Sequence, residues 1–240
     1  MKHLSKDKIM NIAVILSGGS GTRMGLSIPK QYVEIKGKMV IEYCFDTFLS
    51  LSSIDVLLIC LANEWMPLVK EVLMNHPTSK PVFFAESGST RQETVINAME
   101  AINKLGVDDD DIVLIHEAAR PLISDKVICR CLAAMEYAEV ALPVVPVKNT
   151  TYMSCDGKSV ESIPDRKMLW SGQAPEVFRF GSYYNVLKRN GTGELLTLTG
   201  GTEAAFKAGL KCVLVEGEEF NIKITTPTDL AIFEKILETN

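Results

Sequence analysis

The chain has 240 residues, of which 47% are hydrophobic, and a formal net charge of −5. This size and hydrophobic content support a large buried core, and the acidic balance without clusters of Lys or Arg argues against nucleic-acid binding. No run approaches the ~18 apolar residues of a membrane span, and the first residues contain no apolar signal core, so we expect a cytoplasmic protein. We predict one domain over residues 1–240.

The first predicted element is a buried parallel strand at residues 12–16, followed directly by a glycine-rich loop. Glycines let the backbone approach a phosphate closely and leave N–H groups free to bind it. Two cations after the glycines suit a polyphosphate, whose negative charge rises during reaction. We therefore predict a nucleotide-phosphate site formed by Ser17, Gly18, Gly19, Gly21, Arg23 and Lys30.

Two familiar glycine motifs fit this loop poorly. A Walker A loop ends in Gly-Lys-Ser/Thr, whereas Thr22 and Arg23 follow Gly21 here. The dinucleotide pattern G-x-G-x-x-G has Met24 in place of its third glycine, which makes a nicotinamide-dependent oxidoreductase a weak alternative. A tight turn with incidental basic residues is the explanation that involves no ligand.

Strands and helices alternate after the loop. The predicted strands are at residues 54–60, 81–85, 111–116 and 140–145. The predicted helices between them are at residues 39–49, 64–74, 92–104 and 125–137. This alternation is typical of an α/β, Rossmann-like fold with a mostly parallel sheet flanked by helices. Ligands of such sheets bind at the carboxyl ends of the strands.

A second polar turn, at residues 85–95, follows a predicted strand. The N–H groups of Gly88 and Ser89, with the hydroxyl of Thr94, could bind the edge of a pyrimidine in a space too small for a purine. The same residues also make a good helix cap, with Ser89 or Thr90 paired to Glu93. Both interpretations remain open from the residues alone.

Charged residues follow the next predicted strand. Arg120 suits a substrate phosphate, and Glu117 suits substrate hydroxyls or a divalent cation. A simple ion pair between them is the alternative. Lys223 lies in an apolar segment that we predict to be a strand, and burying it without an anion would be costly. We expect Lys223 to reach a ligand or a carboxylate.

After residue 146 the pattern changes to an alternation around Asp156-Gly157, which predicts a protruding β-hairpin arm at about residues 148–165. Its apolar residues have no core of their own, so the arm packs either on a second subunit or back on its own domain. The last predicted elements are a helix at 182–188, a glycine-rich turn at 191–201, a helix at 203–208, a strand at 212–215 and a helix from Pro227.

Four separated motifs together resemble a known family. They lie at residues 17–24 with 29–31, 88–91 with Thr94, 115–121, and 221–227. From Asn11 onward the chain resembles the cytidylyltransferases that make CDP-activated polyols. Members of this family act on 2-C-methyl-D-erythritol 4-phosphate in isoprenoid biosynthesis or on D-ribitol 5-phosphate in wall and capsule assembly. The resemblance implies a homodimer in which the arms are exchanged.

The resemblance also implies the reactants and the roles of individual residues. The reactants would be CTP and a small polyol phosphate, with Mg²⁺ or another divalent cation, which Glu117 could help to position. The implied catalytic residues are Arg23, Lys30 and Lys223. The implied nucleotide site adds Gly88, Ser89 and Thr94, as readers of cytosine, to the glycine-rich loop. The implied polyol-phosphate site contains Glu117, Arg120, Thr150, Arg166 and Lys223.

Several departures from the family pattern concern the polyol. Glu117 stands where the family usually has Asp, and Ala174 where a Thr is usual, while Gln173 favours the ribitol enzymes. The spacing of residues 25–28 and the segment 215–223 favour the erythritol enzymes. We predict 2-C-methyl-D-erythritol 4-phosphate as the acceptor and keep D-ribitol 5-phosphate as the alternative. A catalytically inactive nucleotide-binding protein is a third hypothesis.

Overall fold

In a computed structural model of the chain, the structure describes residues 8–19, 25, 28–189, 198 and 200–239. Its centre is a mostly parallel eight-stranded sheet with helices on both faces, so the predicted α/β fold class is confirmed. The strands of this sheet are β1 (Asn11–Leu16), β4 (Val56–Leu61), β5 (Val82–Glu86), β6 (Ile112–Glu117), β7 (Val140–Pro146), β8 (Trp170–Gly172), β9 (Glu176–Arg179) and β10 (Cys212–Glu216).

The strand order in the sheet is β10-β7-β9-β6-β1-β4-β5, and β8 pairs with the end of β7. The central strands β6, β1, β4 and β5 are parallel to one another, whereas β9 is antiparallel to both β6 and β7. The sequence did not predict β9. A separate two-stranded hairpin contains β2 (Glu34–Ile35) and β3 (Lys38–Met39), with Lys36 and Gly37 at positive φ in its turn.

The helices connect the strands over the two faces of the sheet. They are α1 (Val40–Ser50), α2 (Met66–Leu73), α3 (Arg91–Lys104), α4 (Asp125–Ala134), α5 (Phe180–Arg189), α6 (Gly201–Lys207) and α7 (Pro227–Thr239). The helix expected at residues 125–137 ends three residues earlier than predicted. Among the described helices, none combines the length and the apolar character needed to cross a membrane.

Helix starts are fixed by side chains that accept backbone N–H bonds. The Thr90 hydroxyl caps α3, and the Ser124 hydroxyl caps α4. In the first turn of α7, Asp229 Oδ2 accepts the N–H groups of Thr225 and Thr226, which precede the helix, at 2.8 Å each. The predicted start of the last helix at Pro227 is thereby confirmed.

Two apolar clusters pack on opposite faces of the sheet. On β1, Ala13 and Ile15 face one cluster, while Ile12 and Val14 face the other. Strand residues alternate between faces, so a strand covered on both sides must be apolar throughout. This is why the apolar run extends to Leu16 and ends where the chain leaves the sheet, at the buried but polar Ser17.

The predicted arm forms a short hairpin in the structure. Met153 and Ser162 form its antiparallel bridge, and Asp156 Oδ1 accepts two backbone N–H groups in the turn at 2.7 Å. The apolar side chains of the arm are each more than half exposed, namely Tyr152, Met153, Val160 and Ile163. Within the described chain the arm therefore does not fold back on its own domain.

Candidate active site

A cleft of about 640 Å³ opens at the carboxyl ends of β1, β4, β5 and β6. The paired registers bring Leu16 beside Glu117 on one side and beside Cys60 on the other. The cleft contains many of the predicted site residues. Those that line it are Ser17, Gly18, Gly19, Lys30, Gly88, Ser89, Thr94, Glu117 and Lys223.

The beginning of the glycine-rich loop is held by the buried side chain of Gln31. Its amide NH₂ donates to the Ser17 and Gly19 carbonyl oxygens, at 2.8 Å each. The Ser17 hydroxyl also donates to the Tyr32 hydroxyl at 2.9 Å. Carbonyl oxygens repel phosphate, so bonding two of them to Gln31 fixes part of the loop in a conformation suited to an anion.

Gly18 is required by close packing between two turns. A Cβ atom at this position would lie 2.3 Å from the Ser87 Cβ. The backbone of the first loop therefore packs directly against the Ser87 side chain in the turn after β5, which a larger residue than glycine would prevent. The predicted phosphate-binding residues Gly21 and Arg23 lie outside the described residues.

The turn after β5 is a capped helix start. The Gly88 N–H donates to the Thr94 hydroxyl at 3.0 Å, and the Ser89 N–H donates to the Glu93 carboxylate at 2.7 Å. These are the N–H groups that we expected to read cytosine. The structure therefore shows the capping interpretation in place, and the reading of a base by Gly88, Ser89 and Thr94 stays a prediction.

Glu117 lies at the centre of a cluster of three cations. The Lys223 ammonium lies 2.9 Å from its carboxylate oxygens, and the Arg91 Nε donates to it at 3.1 Å. The Nε of Arg120 is 3.5 Å away. Burial alone would raise the pKa of Glu117, but Lys223 and Arg91 outweigh it and lower the pKa to about 2. The carboxylate is therefore ionised at neutral pH.

Lys223 reaches the carboxylate as expected, but its segment is not the predicted strand. Residues 221–225 belong to no strand or helix. The segment is anchored by the fully buried Asn221, whose amide NH₂ donates to the Ala174 carbonyl at 2.7 Å. Arg120 Nη1 donates to the Asn221 carbonyl at 2.7 Å. Side-chain bonds to backbone thus replace the sheet bonds that a strand would make.

The surroundings of Glu117 do not suit a metal ion. Both of its oxygens are engaged by cations, which would repel a divalent ion. Within the described part of the chain, no group of three His, Cys, Asp or Glu side chains is placed to hold a metal. The predicted metal role of Glu117 therefore has no support from its contacts.

Three predicted polyol-site residues are not among those that line the cleft, namely Arg120, Thr150 and Arg166. Arg120 reaches the cleft only through its contact with Glu117, at 3.5 Å. Thr150 is exposed at the root of the arm. Arg166 follows the arm, and its Nη1 donates to the Lys148 carbonyl at 2.7 Å. The predicted contacts of Thr150 and Arg166 with substrate stay predictions.

Gln31 and Arg91 line the cleft, although the motifs predicted no role for either. Gln31 follows Lys30 directly, and Arg91 ends the motif at residues 88–91. The available signal was a polar side chain beside a predicted ligand residue. The partners of these two side chains lie 12 to 85 residues away in the sequence, and no local pattern identifies them.

Comparison with known proteins decides the family. The family model IspD, 2-C-methyl-D-erythritol 4-phosphate cytidylyltransferase, covers residues 11–239. The chain belongs to this family.

Relatives of the IspD family align with this chain over nearly their whole length. It is 31% identical to the 2-C-methyl-D-erythritol 4-phosphate cytidylyltransferase of Clostridioides difficile (strain 630), over 95% of this chain and 94% of that protein. It is 33% identical to the protein of the same name from Thermosipho melanesiensis, over 95% of this chain and 98% of that protein. A crystal structure of 4-diphosphocytidyl-2C-methyl-D-erythritol synthase superposes with a TM-score of 0.79 at 29% identity, covering 96% of this chain and 99% of that one.

Proposed function

We propose that this protein transfers the cytidylyl group of CTP to 2-C-methyl-D-erythritol 4-phosphate and releases pyrophosphate. The observation that supports this proposal most directly is the composition of the cleft. One side is formed by the glycine-rich loop with Lys30, and the other by Arg91, Glu117 and Lys223. Arg120 also contacts Glu117 but does not line the cleft. Two cationic regions in one cleft suit two phosphorylated reactants, whereas a protein that only binds a nucleotide has no need for the second.

The family and the named relatives support the erythritol acceptor. The family model and the curated relatives carry that substrate in their names. The alternative acceptor, D-ribitol 5-phosphate, is therefore not favoured, although Glu117, Gln173 and Ala174 depart from the usual pattern. A nicotinamide-dependent oxidoreductase is excluded as a family assignment by the same comparisons.

On the nucleotide side, the first loop binds the triphosphate. Gln31 holds the Ser17 and Gly19 carbonyls, and the Lys30 ammonium adds positive charge from the wall of the cleft. Charge moves onto pyrophosphate when the bond between the α-phosphorus and the bridging oxygen breaks. A cation placed in advance stabilises that charge more in the transition state than in the ground state. Lys30 is therefore a catalytic residue in this proposal, together with Arg23.

On the acceptor side, the cluster around Glu117 binds the polyol phosphate. A phosphate oxygen of the polyol attacks the α-phosphorus in line, and the new P–O bond forms as the bond to pyrophosphate breaks. The reaction needs no covalent intermediate on the protein. Lys223 and Arg120 neutralise the attacking phosphate, while Glu117 orients Lys223 and accepts a substrate hydroxyl.

In this proposal the divalent cation is bound by the nucleotide and not by a carboxylate of the protein. The described residues supply no carboxylate free of cationic partners in the cleft. We propose that Mg²⁺ enters bound to the CTP triphosphate, so that the substrate is the magnesium complex. The protein then supplies cations and N–H groups around that complex. A cytoplasmic location stays a prediction from the sequence.

We also propose a homodimer joined through the arm. The arm exposes four apolar side chains, and Trp170 and Leu214 are exposed beside its root, where they line an apolar groove with Pro146. Such exposed apolar surface is typical of an interface between subunits. Exchange of arms would carry Thr150 and Arg166 to the partner's cleft, which accounts for their distance from the cleft of their own chain.

The test is pyrophosphate release from magnesium and CTP, measured in parallel with the two polyol phosphates. We expect turnover with 2-C-methyl-D-erythritol 4-phosphate and little with D-ribitol 5-phosphate. Lys223→Met should abolish most of this turnover and keep the thermal stabilisation by CTP, because Lys223 serves the acceptor. Lys235→Met, a surface change on α7, is the control and should behave like the wild type.

Three results would contradict parts of the proposal. Turnover with D-ribitol 5-phosphate alone would keep the reaction class but replace the acceptor. Binding of CTP without turnover on either acceptor would instead favour a nucleotide-binding protein. A loss of CTP stabilisation in Lys223→Met would place that residue on the nucleotide side.

A further inference from the structure

Arg91 connects two carboxylates that lie on neighbouring strands. Its Nε donates to Glu117 at 3.1 Å, and its Nη2 donates to Glu176 at 2.6 Å. Glu117 ends β6, and Glu176 begins β9, which pairs with β6 in the antiparallel direction. One guanidinium therefore binds the carboxylate inside the cleft and a second carboxylate behind it.

Glu176 is itself fixed by the beginning of α6. Its Oε1 accepts the Thr202 N–H at 2.9 Å and the Thr202 hydroxyl at 2.8 Å, and the Gly201 N–H lies 3.4 Å from Oε2. The side chain is 10% exposed and does not line the cleft. A buried carboxylate must be paired and hydrogen-bonded to stay ionised. Arg91 and the α6 backbone provide those bonds, and they leave Glu176 little freedom to move.

The position of Glu117 depends on the balance among its cations. Lys223 and Arg91 approach the same carboxylate oxygen, at 2.9 and 3.1 Å. Lys223 is the more exposed of the two, with 37% of its side chain accessible against 29% for Arg91. Without a second anchor, Arg91 could turn away from its place, and the Glu117 carboxylate could then shift with the more exposed Lys223 ammonium. The bond to Glu176 prevents this by using the other edge of the rigid guanidinium fork.

The charges in the cluster also depend on Glu176. Three cations surround Glu117, and one of them, Arg91, also contacts the second carboxylate, Glu176. Removing its charge leaves three cations against one carboxylate. Arg91 is then drawn more strongly to any phosphate in the cleft, because it also forms part of the cleft wall.

We propose that Glu176 is a positioning residue for the acceptor: by holding Arg91, it fixes the carboxylate of Glu117 and the ammonium of Lys223 at the acceptor side of the cleft. This inference rests on the proposed function, since the acceptor defines that side. Glu176 acts through Arg91 and touches neither reactant.

The first experiment compares Glu176→Gln with the wild type by pyrophosphate release. Gln keeps the length of the side chain and an oxygen for the Thr202 bonds, but it removes the charge that holds Arg91. We expect kcat/KM for the polyol phosphate to fall by about tenfold or more, while KM for CTP changes by less than about twofold. Glu176→Asp, which keeps the charge on a shorter chain, should recover part of the loss.

The second experiment tests whether Glu176 acts through Arg91. The variants are Arg91→Gln, Glu176→Gln and the double variant. If Glu176 acts only through Arg91, the double variant should be no worse than Arg91→Gln alone. Glu100→Gln, which alters a carboxylate bonded to Tyr184 on another part of the surface, is the control for loss of an acidic charge.

The outcomes separate this inference from the proposed function. An inactive wild type refutes the proposed function. An active wild type with equally active Glu176→Gln, or a double variant whose loss is the product of the single losses, refutes the positioning role. Equal effects on the constants for CTP and polyol also refute it, because a general structural defect does not distinguish reactants. Circular dichroism verifies folding. If Glu176→Gln does not fold, Glu176→Asp must show a selective fall in kcat/KM for the polyol phosphate, or the inference is wrong.

Discussion

His116 precedes Glu117 on β6 and should make the stability of the protein depend on pH. It is fully buried, with its ring centroid 5.2 Å from that of Phe48. Its Nε2–H donates to the Arg120 carbonyl at 3.0 Å, and its Nδ1 finds no partner among the described residues. Protonation would place an unpaired donor and a charge in the core, so burial lowers the pKa from the ordinary value of 6.5 to about 4.

The sign and size of the effect follow from this difference. The unfolded chain takes up the proton near pH 6.5, but the native protein does so only near pH 4. Acidification within this window therefore favours the unfolded chain. The native protein should lose about 3 kcal/mol of unfolding free energy over the whole window, of which about 2 kcal/mol is lost between pH 7 and pH 5.

Urea unfolding at pH 7 and pH 5, followed by circular dichroism, measures this loss. His116→Gln keeps a donor for the Arg120 carbonyl but cannot take up the proton, so most of the pH dependence should disappear. Phe48→Leu is the matched control, because it loosens the same packing without changing a titrating group. It should lower stability at both pH values and keep their difference. An unchanged difference in His116→Gln would refute the reasoning.

Three further predictions concern activity and assembly. Lys30→Ala should lower kcat about 100-fold at saturating CTP, because it removes a cation that stabilises the leaving pyrophosphate; unchanged turnover would contradict this role. In the wild type the Glu117 carboxylate lies 2.9 Å from Lys223, and Glu117→Asp withdraws it. KM for the polyol should therefore rise about tenfold with little change in KM for CTP. Improved use of the polyol would instead show that Glu is merely tolerated at this position. On the arm, Thr150→Ala should lower kcat/KM for the polyol phosphate. Deletion of residues 151–162 should give a monomer in analytical ultracentrifugation. A fully active dimer without the arm would rule out arm exchange.

Local pattern was sufficient for most of the sheet. The apolar runs that became β1, β4, β5, β6 and β7 are short and bounded by turns, and an acidic residue occurs only at the last position of β5 and of β6. The structure places each strand within two residues of the predicted bounds. Burial on both faces forces such runs to be apolar throughout, which makes them visible in a sequence. The glycine-rich loop and the hairpin turn were predictable for a similar reason, since both need glycine or Asx residues at fixed positions.

Features that depend on distant partners were not predictable. The strand β9 has only four residues, and its place between β6 and β7 is set by pairing with strands far away in the chain. The link from Arg91 to Glu176 spans 85 residues and leaves no periodic signal. Around Gly88, one set of residues satisfies two patterns, a base-binding turn and a helix cap, and sequence alone cannot rank them.

The cleft joins parts of the chain that are far apart in the sequence, which has a consequence for synthesis. Glu117 and Lys223 are 106 residues apart, and the segment with Lys223 is fastened by the bond from Asn221 to the Ala174 carbonyl. A ribosome makes the glycine-rich loop well before Lys223. A nascent chain that ends after β10 therefore contains the glycine-rich loop but lacks the ammonium that contacts Glu117, and the cleft is complete only once Lys223 has been made.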